Sequence, residues 1–225
     1  PGFSFAWAGN EKLVYKTVPA NRNPMPEKKP APGGPVIQES LGKQGASRTY
    51  QDLIKSPYDE EMFTYLTTSQ LMVNDFKSEQ ALGTPDIYSL VSVSPDNNYI
   101  LVSTVAKPFS YLVPYTRFPQ RVYIMSMKGV IVKTLASNPS AEGAPIGFDD
   151  VPEYPRNFQW RADVPATIVY VQAVDEGMGR SKSEFRDAAY AVSPLSQDPP
   201  VELFKTKKRF QGIIWGDKEH AIVYE

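Results

Sequence analysis

Few side chains in this chain are able to act as a nucleophile or a general base. Among 225 residues there is no cysteine, and His220 is the only histidine. A serine nucleophile of the Gly-x-Ser-x-Gly type needs a strained turn between a strand and a helix, but Gly45-Ala46-Ser47 and Gly179-Arg180-Ser181 lack the flanking pattern. A Ser-His-Asp triad would have to use His220, which lies beside a turn after Trp215. We therefore expect no catalytic residue in these 225 residues.

Patterns that bind metals or phosphates are equally sparse. Zinc sites cluster Cys and His, which this chain cannot supply. Asp149-Asp150 and Asp59-Glu60-Glu61 offer oxygen ligands, but neither has the alternating ligands of an EF-hand loop. Pro32-Gly33-Gly34-Pro35 is too proline-bound to follow a strand and open a helix as a phosphate loop does. We expect no metal and no cofactor, and we interpret the carboxylates as surface groups.

Arginines remain as candidate binding groups, because a guanidinium presents a planar fork that pairs with a carboxylate. One of them, Arg117, lies in a loop between Pro114 and Pro119. The alternative interpretation is structural, since most arginines pair with an acidic neighbour or cap a strand end. The candidates are Arg117, Arg121, Arg156 and Arg161.

The elements that must position these side chains are predicted to be β-strands. One pattern occurs four times: a hydrophobic anchor, a tight polar turn and an apolar run. Pro, Asp and Asn in such turns suit type I geometry. This pattern is typical of the turn between the first two strands of a propeller blade, a unit that cannot bury both of its faces alone. The copies begin at Trp7, Val93, Trp160 and Trp215 and lead into Leu13–Tyr15, Tyr99–Val102, Thr167–Val171 and Ala221–Tyr224.

Two segments interrupt the strand pattern. Residues 20–48 hold many prolines and a Gly-Gly pair, and this composition predicts an extended insertion or loop; a docking segment for another domain is the alternative. Residues 49–61 predict a short helix with Tyr50, Leu53 and Ile54 on one face, and residues 62–76 resume the strand pattern. The anchors are 86, 67 and 55 residues apart, whereas a bare blade takes roughly 40–50 residues, so insertions account for the irregular period.

These patterns predict an all-β fold, a partial β-propeller of about three to four four-stranded antiparallel blades, two of them incomplete. Residues 1–225 would form a fragment of one propeller domain, since the fourth copy of the pattern breaks off at Glu225. Lys plus Arg number 24 and Asp plus Glu 25, which argues against nucleic acid or an anionic membrane as the main partner. No apolar run is long enough to span a bilayer.

Several segments are shared with a known family. The most specific are Lys107-Pro108-Phe109-Ser110-Tyr111-Leu112-Val113-Pro114 with Arg117-Phe118-Pro119, and Trp160-Arg161-Ala162-Asp163-Val164-Pro165. Through them, residues 48–225 resemble the β-propeller of the glutamyl endopeptidase branch of the prolyl oligopeptidase superfamily. The other matching segments are 48–55 with 58–63, Val93-Ser94-Pro95-Asp96 with 99–103, Arg186-Asp187, Pro194-Leu195 and 212–215.

The resemblance implies a serine endopeptidase that cleaves after Glu. Its catalytic Ser, Asp and His would lie in an α/β-hydrolase domain downstream of this chain, so the fragment alone would be inactive. The propeller would screen and position peptide substrates. Because Arg117 lies in the most family-specific stretch, we expect it to face the cavity between the domains and to help select acidic side chains.

Partners and location follow from the same resemblance. The expected partners are a peptide or protein substrate, reached through the parent enzyme, and the α/β-hydrolase domain of the same protein; open sheet edges predict self-association of the fragment. Bacterial relatives are often exported, which implies a periplasmic or secreted parent, whereas plant relatives are plastidic. The alternatives are a non-catalytic propeller scaffold for protein–protein interaction and a sugar-binding propeller.

Overall fold

The computed structural model describes residues 5–28, 50–144 and 147–225. In those ranges the chain forms fourteen strands, one α-helix (α1, Pro57–Thr67) and two single-turn 3-10 helices, Tyr115–Arg117 and Ala141–Gly143. The strands are β1 (Phe5–Ala8), β2 (Lys12–Thr17), β3 (Ser69–Asn74), β4 (Glu79–Asp86), β5 (Tyr88–Val93), β6 (Tyr99–Val105), β7 (Gln120–Ser126), β8 (Ile131–Asn138), β9 (Arg156–Trp160), β10 (Ile168–Ala173), β11 (Asp187–Val192), β12 (Val201–Thr206), β13 (Gly212–Trp215) and β14 (Ala221–Tyr224).

The strands follow one another in simple up-and-down order. Sheet 1 is β1-β2-β3-β4, sheet 2 is β5-β6-β7-β8, sheet 3 is β9-β10-β11-β12, and sheet 4 is β13-β14. All neighbouring strands are antiparallel. The predicted all-β fold of open, propeller-like sheets is therefore confirmed.

Sheet 1 has all four of its strands, although the sequence predicted that it would be incomplete. The fourth strand, β4, was missed because Gly83 and Pro85 interrupt its apolar pattern. A proline is tolerated there since β4 is an edge strand. A register shift between Ser69 and Leu71 of β3 accommodates the irregular partner. In the described chain only sheet 4 has fewer than four strands.

The helix lies later in the chain than its apolar pattern predicted. It begins after Ser56, whose hydroxyl accepts a hydrogen bond from the backbone N–H of Asp59 at 3.2 Å, and Pro57 occupies its first turn. Both are start signals of a helix, so the prediction of a helix over 49–61 and of a strand from Met62 was wrong at residues 50–56 and 62–67. Thr49 lies outside the described residues. The strand-like residue Phe63 lies within this helix, and its ring packs edge-on against Phe109 at 5.0 Å.

The core consists of layers between successive sheets. Strand β6 shows the arrangement: Ile100 and Val102 pack toward sheet 1, and Leu101, on the opposite face, packs toward sheet 3. All three are fully buried, as expected for a strand covered on both faces. Burying such a side chain contributes about 1.5–3 kcal/mol. The other predicted buried strand, β10, has Ile168 and Val169 fully enclosed as well.

The two ends of the sheets differ in what they carry. One end, here called the turn end, holds the short connections within the sheets, at residues 9–11, 75–78, 94–98, 127–130, 161–167, 193–200 and 216–220. The other, the loop end, holds the remaining connections, whose described residues are 18–28, 50–68, 87, 106–119, 139–144, 147–155, 174–186 and 207–211. The repeated turns thus share one end, and every long insertion leaves from the other. Of the proline-rich segment 20–48, residues 20–28 are described and contain no helix or strand.

No helix in the described part of the chain is long and apolar enough to cross a bilayer.

Candidate functional site

A cavity of about 410 Å³, lined by both polar and apolar side chains, opens at the loop end between sheets 2 and 3. The sequence did not indicate it, because its walls come from segments far apart in the chain. Sheet 2 and its β6–β7 connection supply Ser89, Leu90, Ser103, Thr116, Gln120, Val122 and Asn138, and the segment entering sheet 3 supplies Pro152, Tyr154, Pro155, Arg156, Asn157 and Phe158. Its volume is within the range of about 300–1,000 Å³ that small-ligand sites occupy.

Arg156, one of the four candidate arginines, begins β9 at the wall of this cavity. A register shift places it opposite Val171, whereas Gln159 lies opposite Val169. This bulge contains Asn157, whose φ of 55° is left-handed. Asparagine tolerates that conformation better than most residues. Bulges redirect side chains next to functional sites. Here the guanidinium is brought to Asp187, with Nη2 2.6 Å from Oδ2.

Behind the cavity wall lies a buried ion cluster, formed by Arg156, Asp175, Arg186, Asp187 and Arg209. Arg209 pairs with Asp175 through two nitrogens at 2.8 and 2.9 Å and contacts Asp187 at 3.2 Å. Arg186 donates a further bond to Asp175 at 2.9 Å. Both aspartate side chains have at most 1% of their surface exposed. Such a cluster is stable only because hydrogen bonds replace the water that its charges have lost.

The hydrogen bonds of the cluster decide the charge state of Asp175. Burial by itself favours the protonated acid, but hydrogen bonds from Arg209 and Arg186 outweigh it, so the pKa of Asp175 is lowered from its ordinary value. Asp175 is therefore ionised at neutral pH. It also accepts a bond from the backbone N–H of Gly177 at 3.1 Å, which anchors the β10–β11 connection to the cluster.

Arg117 lies at the loop end, as the last residue of the 3-10 helix 115–117. Its backbone N–H donates to the carbonyl oxygen of Pro114 at 2.8 Å, and its Nη1 donates at 3.4 Å to the carbonyl of Ala141. The preceding residue, Thr116, lines the cavity, but Arg117 does not. Burial raises the pKa of Tyr154, a lining residue, and the positive charge of Arg117 partly offsets that rise. Arg117 is thus an electrostatic neighbour of the cavity.

The other two candidate arginines lie elsewhere. Arg121 is an exposed residue of β7. Arg161 is at the turn end, where it forms two bonds of 2.8 Å to Asp163 and stacks over the ring of Trp215 at 4.1 Å. Its role is to join sheet 3 to sheet 4, which is the structural interpretation of an arginine.

His220 is in the exposed turn between β13 and β14, with 77% of its side chain accessible. Its Nδ1 is 2.9 Å from Oδ1 of Asp217 in the same turn. The carboxylate of Asp217 also accepts bonds from the backbone N–H groups of Glu219 and His220. The pair therefore closes a turn, as the sequence predicted for this histidine.

The acidic runs serve local structure. Asp150 accepts bonds from the backbone N–H groups of Gly179 and Gly147, and chiefly the bond from Gly179 lowers the pKa of its carboxyl. Asp59 accepts from the N–H of Lys55 at 2.9 Å, next to the start of α1. In the ranges that the structure covers, no three His, Cys, Asp or Glu side chains are grouped as metal ligands.

Sequence reasoning missed the ion cluster because its members are scattered between residues 156 and 209. One signal was present: Asp187 and Arg156 each begin a strand, and Asp175 lies two residues after the end of β10. Charged residues at the ends of buried strands are expected to need partners. Only the arrangement of sheet 3 shows that these three ends meet.

Comparison with known proteins gives the chain its relatives. It is 35% identical over 226 aligned residues to proteins named probable glutamyl endopeptidase, chloroplastic, from Oryza sativa subsp. japonica and from Arabidopsis thaliana. These alignments cover 99% of the chain and 24% and 23% of the two relatives, so the chain spans about a quarter of their length. No protein-family model matches the chain.

Solved structures with a similar arrangement include an uncharacterised protein of Listeria monocytogenes and an acylaminoacyl peptidase bound to a peptide chloromethyl ketone. The first is 11% identical with a TM-score of 0.44, covering 89% of this chain and 39% of that protein. The second is 10% identical with a TM-score of 0.43, covering 87% and 24%. The resemblance that residues 48–225 suggested is confirmed by the sequence relatives, and extends over almost the whole chain. Over almost its whole length, the chain is thus similar to about a quarter of two proteins named probable glutamyl endopeptidase.

Proposed function

We propose that this chain is the non-catalytic propeller part of a serine endopeptidase that cleaves after glutamate, and that it gates and positions peptide substrates. The observation that carries the proposal is the 35% identity over 99% of the chain to two proteins named probable glutamyl endopeptidases. In this proposal the nucleophile belongs to an α/β-hydrolase domain of the parent protein.

The loop end supports the gating part of the proposal. Every long connection leaves from that end, and large apolar side chains there are exposed: Leu66 of α1, and Leu112 and Tyr115 of the β6–β7 connection, are 49–65% accessible. Exposed apolar groups that lie together mark contact surfaces. We propose that the catalytic domain covers this end, so that a substrate must pass between it and the connections.

Arg117 has the role of an acid-selecting residue in this proposal. It lies at the loop end, half-buried, and its hydrogen bond to Ala141 is long, at 3.4 Å. A guanidinium held so loosely is available to a substrate carboxylate, with which it forms shorter, charge-assisted bonds.

The test uses the full-length parent protein. We expect Arg117→Ala to lower kcat/KM for Glu substrates by about tenfold or more, the value of a lost charge-assisted bond of 1.5–3 kcal/mol, while the smaller rate for Ala substrates stays the same. Arg121→Ala, which removes an exposed arginine outside the cavity lining, is the matched control. An unchanged Glu-to-Ala preference in Arg117→Ala would overturn the role of Arg117.

The peptidase activity is tested separately by labelling the parent protein with a fluorophosphonate that reacts with activated serines. Covalent labelling is expected, and the label should map outside these 225 residues. A parent protein that neither reacts nor cleaves Glu peptides would instead favour the scaffold alternative.

A further inference from the structure

We propose that the cavity between sheets 2 and 3 is a binding site for a single carboxylate carried on a peptide side chain, and that Arg156 is its cation. This inference deepens the proposed function, on which its biological meaning rests, because it names a second specificity-determining residue. Its physical basis is independent of the relatives, since it comes from the cavity itself.

The lining of the cavity mixes polar and apolar side chains and carries one sign of charge. Hydroxyl and amide groups of Ser89, Ser103, Gln120 and Asn138 surround it. Among the described residues that line it, Arg156 is the only one with a formal charge. A concave site of this kind, with convergent polar groups and one cation, is suited to orient an anionic ligand.

Only one of the two terminal nitrogens of Arg156 has a hydrogen-bond partner among the described residues. Its Nη2 is bonded to Asp187 at 2.6 Å, but Nη1 is enclosed and has no hydrogen-bond partner in the described part of the chain. Leaving an enclosed donor without a partner costs free energy. A ligand acceptor that bonds to Nη1 recovers that free energy on binding. The side chain keeps 14% of its surface accessible. Arg156 lines the cavity, but Nη1 itself has no accessible surface, so an acceptor in the cavity reaches it through a shift of the guanidinium.

The charge of the ion cluster favours a ligand with one negative charge. Three guanidinium groups, those of Arg156, Arg186 and Arg209, are joined to two carboxylates, those of Asp175 and Asp187. The cluster therefore has one positive charge in excess. A surplus charge that is largely removed from water is costly unless it is paired, and a monocarboxylate would balance it, whereas a phosphate dianion would exceed it.

Arg117 and Arg156 would act at different depths. Arg117 is beside Thr116 at the cavity wall and acts on Tyr154 through its charge. Arg156 is fixed deeper by the bulge of β9 and by Asp187. The outer arginine can attract an acidic side chain, and the inner one can hold its carboxylate.

The experiment measures binding to the 225-residue chain, without reference to catalysis. The probe is N-acetyl-glutamic acid amide, and the comparison ligand is N-acetyl-glutamine amide, which has the same shape and no charge. Binding is followed by NMR titration of the ¹⁵N-labelled chain, a method that detects weak complexes. We expect the acid to shift signals of the cavity residues and to bind at least about tenfold more tightly than the amide.

Three variants locate the site. Arg156→Lys keeps a positive charge beside Asp187 but removes the planar fork, and we expect binding to weaken by about tenfold or more. Thr116→Trp narrows the cavity from an exposed position and should weaken binding without disturbing the core. Arg121→Gln, an exposed arginine of β7 outside the lining, is the control and should bind as the unchanged chain does.

Two results would overturn the inference: equal affinity for the acid and the neutral amide, or unchanged binding in Arg156→Lys. If Arg156→Lys does not fold, as circular dichroism would show, Thr116→Trp decides, and full binding in that variant counts against the site. Tighter binding of inorganic phosphate than of the acid would overturn the single-carboxylate assignment. The chain could bind the acid through Arg156 while its parent protein fails to cleave after glutamate. That pair of results would contradict the proposed function but would support this binding site.

Discussion

Trp160 of β9 donates a hydrogen bond from its indole Nε1 to the carbonyl oxygen of Ser92 in β5, at 2.8 Å. This bond joins sheet 3 to sheet 2 next to the repeated turns. The indole is 8% exposed and packs in the layer between the two sheets. The tryptophan anchor of the repeated pattern is thus a cross-link between sheets, and not only an apolar contact.

We expect Trp160→Phe to destabilise the fold by about 1–3 kcal/mol, because the carbonyl of Ser92 loses its partner and the smaller ring leaves a gap. Urea unfolding followed by circular dichroism measures the change. Trp7→Phe is the matched control, since Trp7 is 54% exposed, and it should shift the free energy of unfolding by less than about 0.5 kcal/mol. Equal losses in the two variants would contradict the cross-link.

The buried ion cluster makes stability depend on acid pH. The pKa of Asp175 is lowered in the folded chain, so its stabilising contribution is fully present above the unfolded value of about 4 and is lost as the pH falls through that value toward the folded pKa. We expect the free energy of unfolding to decrease as the pH is lowered from about 5, and urea titrations at several pH values measure this decrease.

Asp175→Asn tests that assignment. At pH 7 it should cost about 3–5 kcal/mol, because Arg209 is left as a buried charge without its bidentate partner, and the acid-dependent loss should become smaller. Asp217→Asn is the control, since Asp217 is in an exposed turn. If both variants kept the pH dependence of the original chain, Asp175 would not be its source.

Arg161 connects sheets 3 and 4 through its contacts with Asp163 and Trp215. Arg161→Ala should lower the free energy of unfolding by at least about 0.5–1 kcal/mol, the value of the lost cation–π contact, and expose the indole of Trp215, which shifts its fluorescence to longer wavelength. Arg161→Lys should recover only part of the loss, because lysine lacks the planar fork. Full recovery by lysine would show that charge alone matters at this position.

Sheet 4 presents an apolar face to solvent. Ile214 and Ile222 are opposite each other in the β13–β14 pair, with Tyr224 on the same face, and the three side chains are 48–62% exposed. We expect the 225-residue chain to associate with itself through this face. Light scattering should show oligomers at high concentration that Ile222→Lys reduces. Leu195→Lys, a change at an exposed turn residue, should not reduce them, and a monomer at high concentration would contradict the prediction.

The sequence by itself determined the local turns and the strands next to them. The anchors Val93, Trp160 and Trp215 precede tight turns as predicted, because Pro, Asp, Asn and Gly restrict the backbone locally. Continuous apolar runs such as Ile100–Val102 predicted strands buried on both faces. Where local signals conflicted, the prediction was wrong: the start signals at Ser56-Pro57 determined the helix, and the aromatic residues that follow were mistaken for a strand.

Tertiary structure alone decided which distant groups meet. Up-and-down order of antiparallel strands places every second connection at the same end, so Arg117, Arg156 and the buried ion cluster share the loop end, although 92 residues separate Arg117 from Arg209. The sequence named Arg117 as a candidate from its family-specific loop, but Arg156 was distinguished only by the bulge of β9 and by the cavity. Contacts between sheets depend on the register and twist of whole strands, which no local pattern of residues encodes.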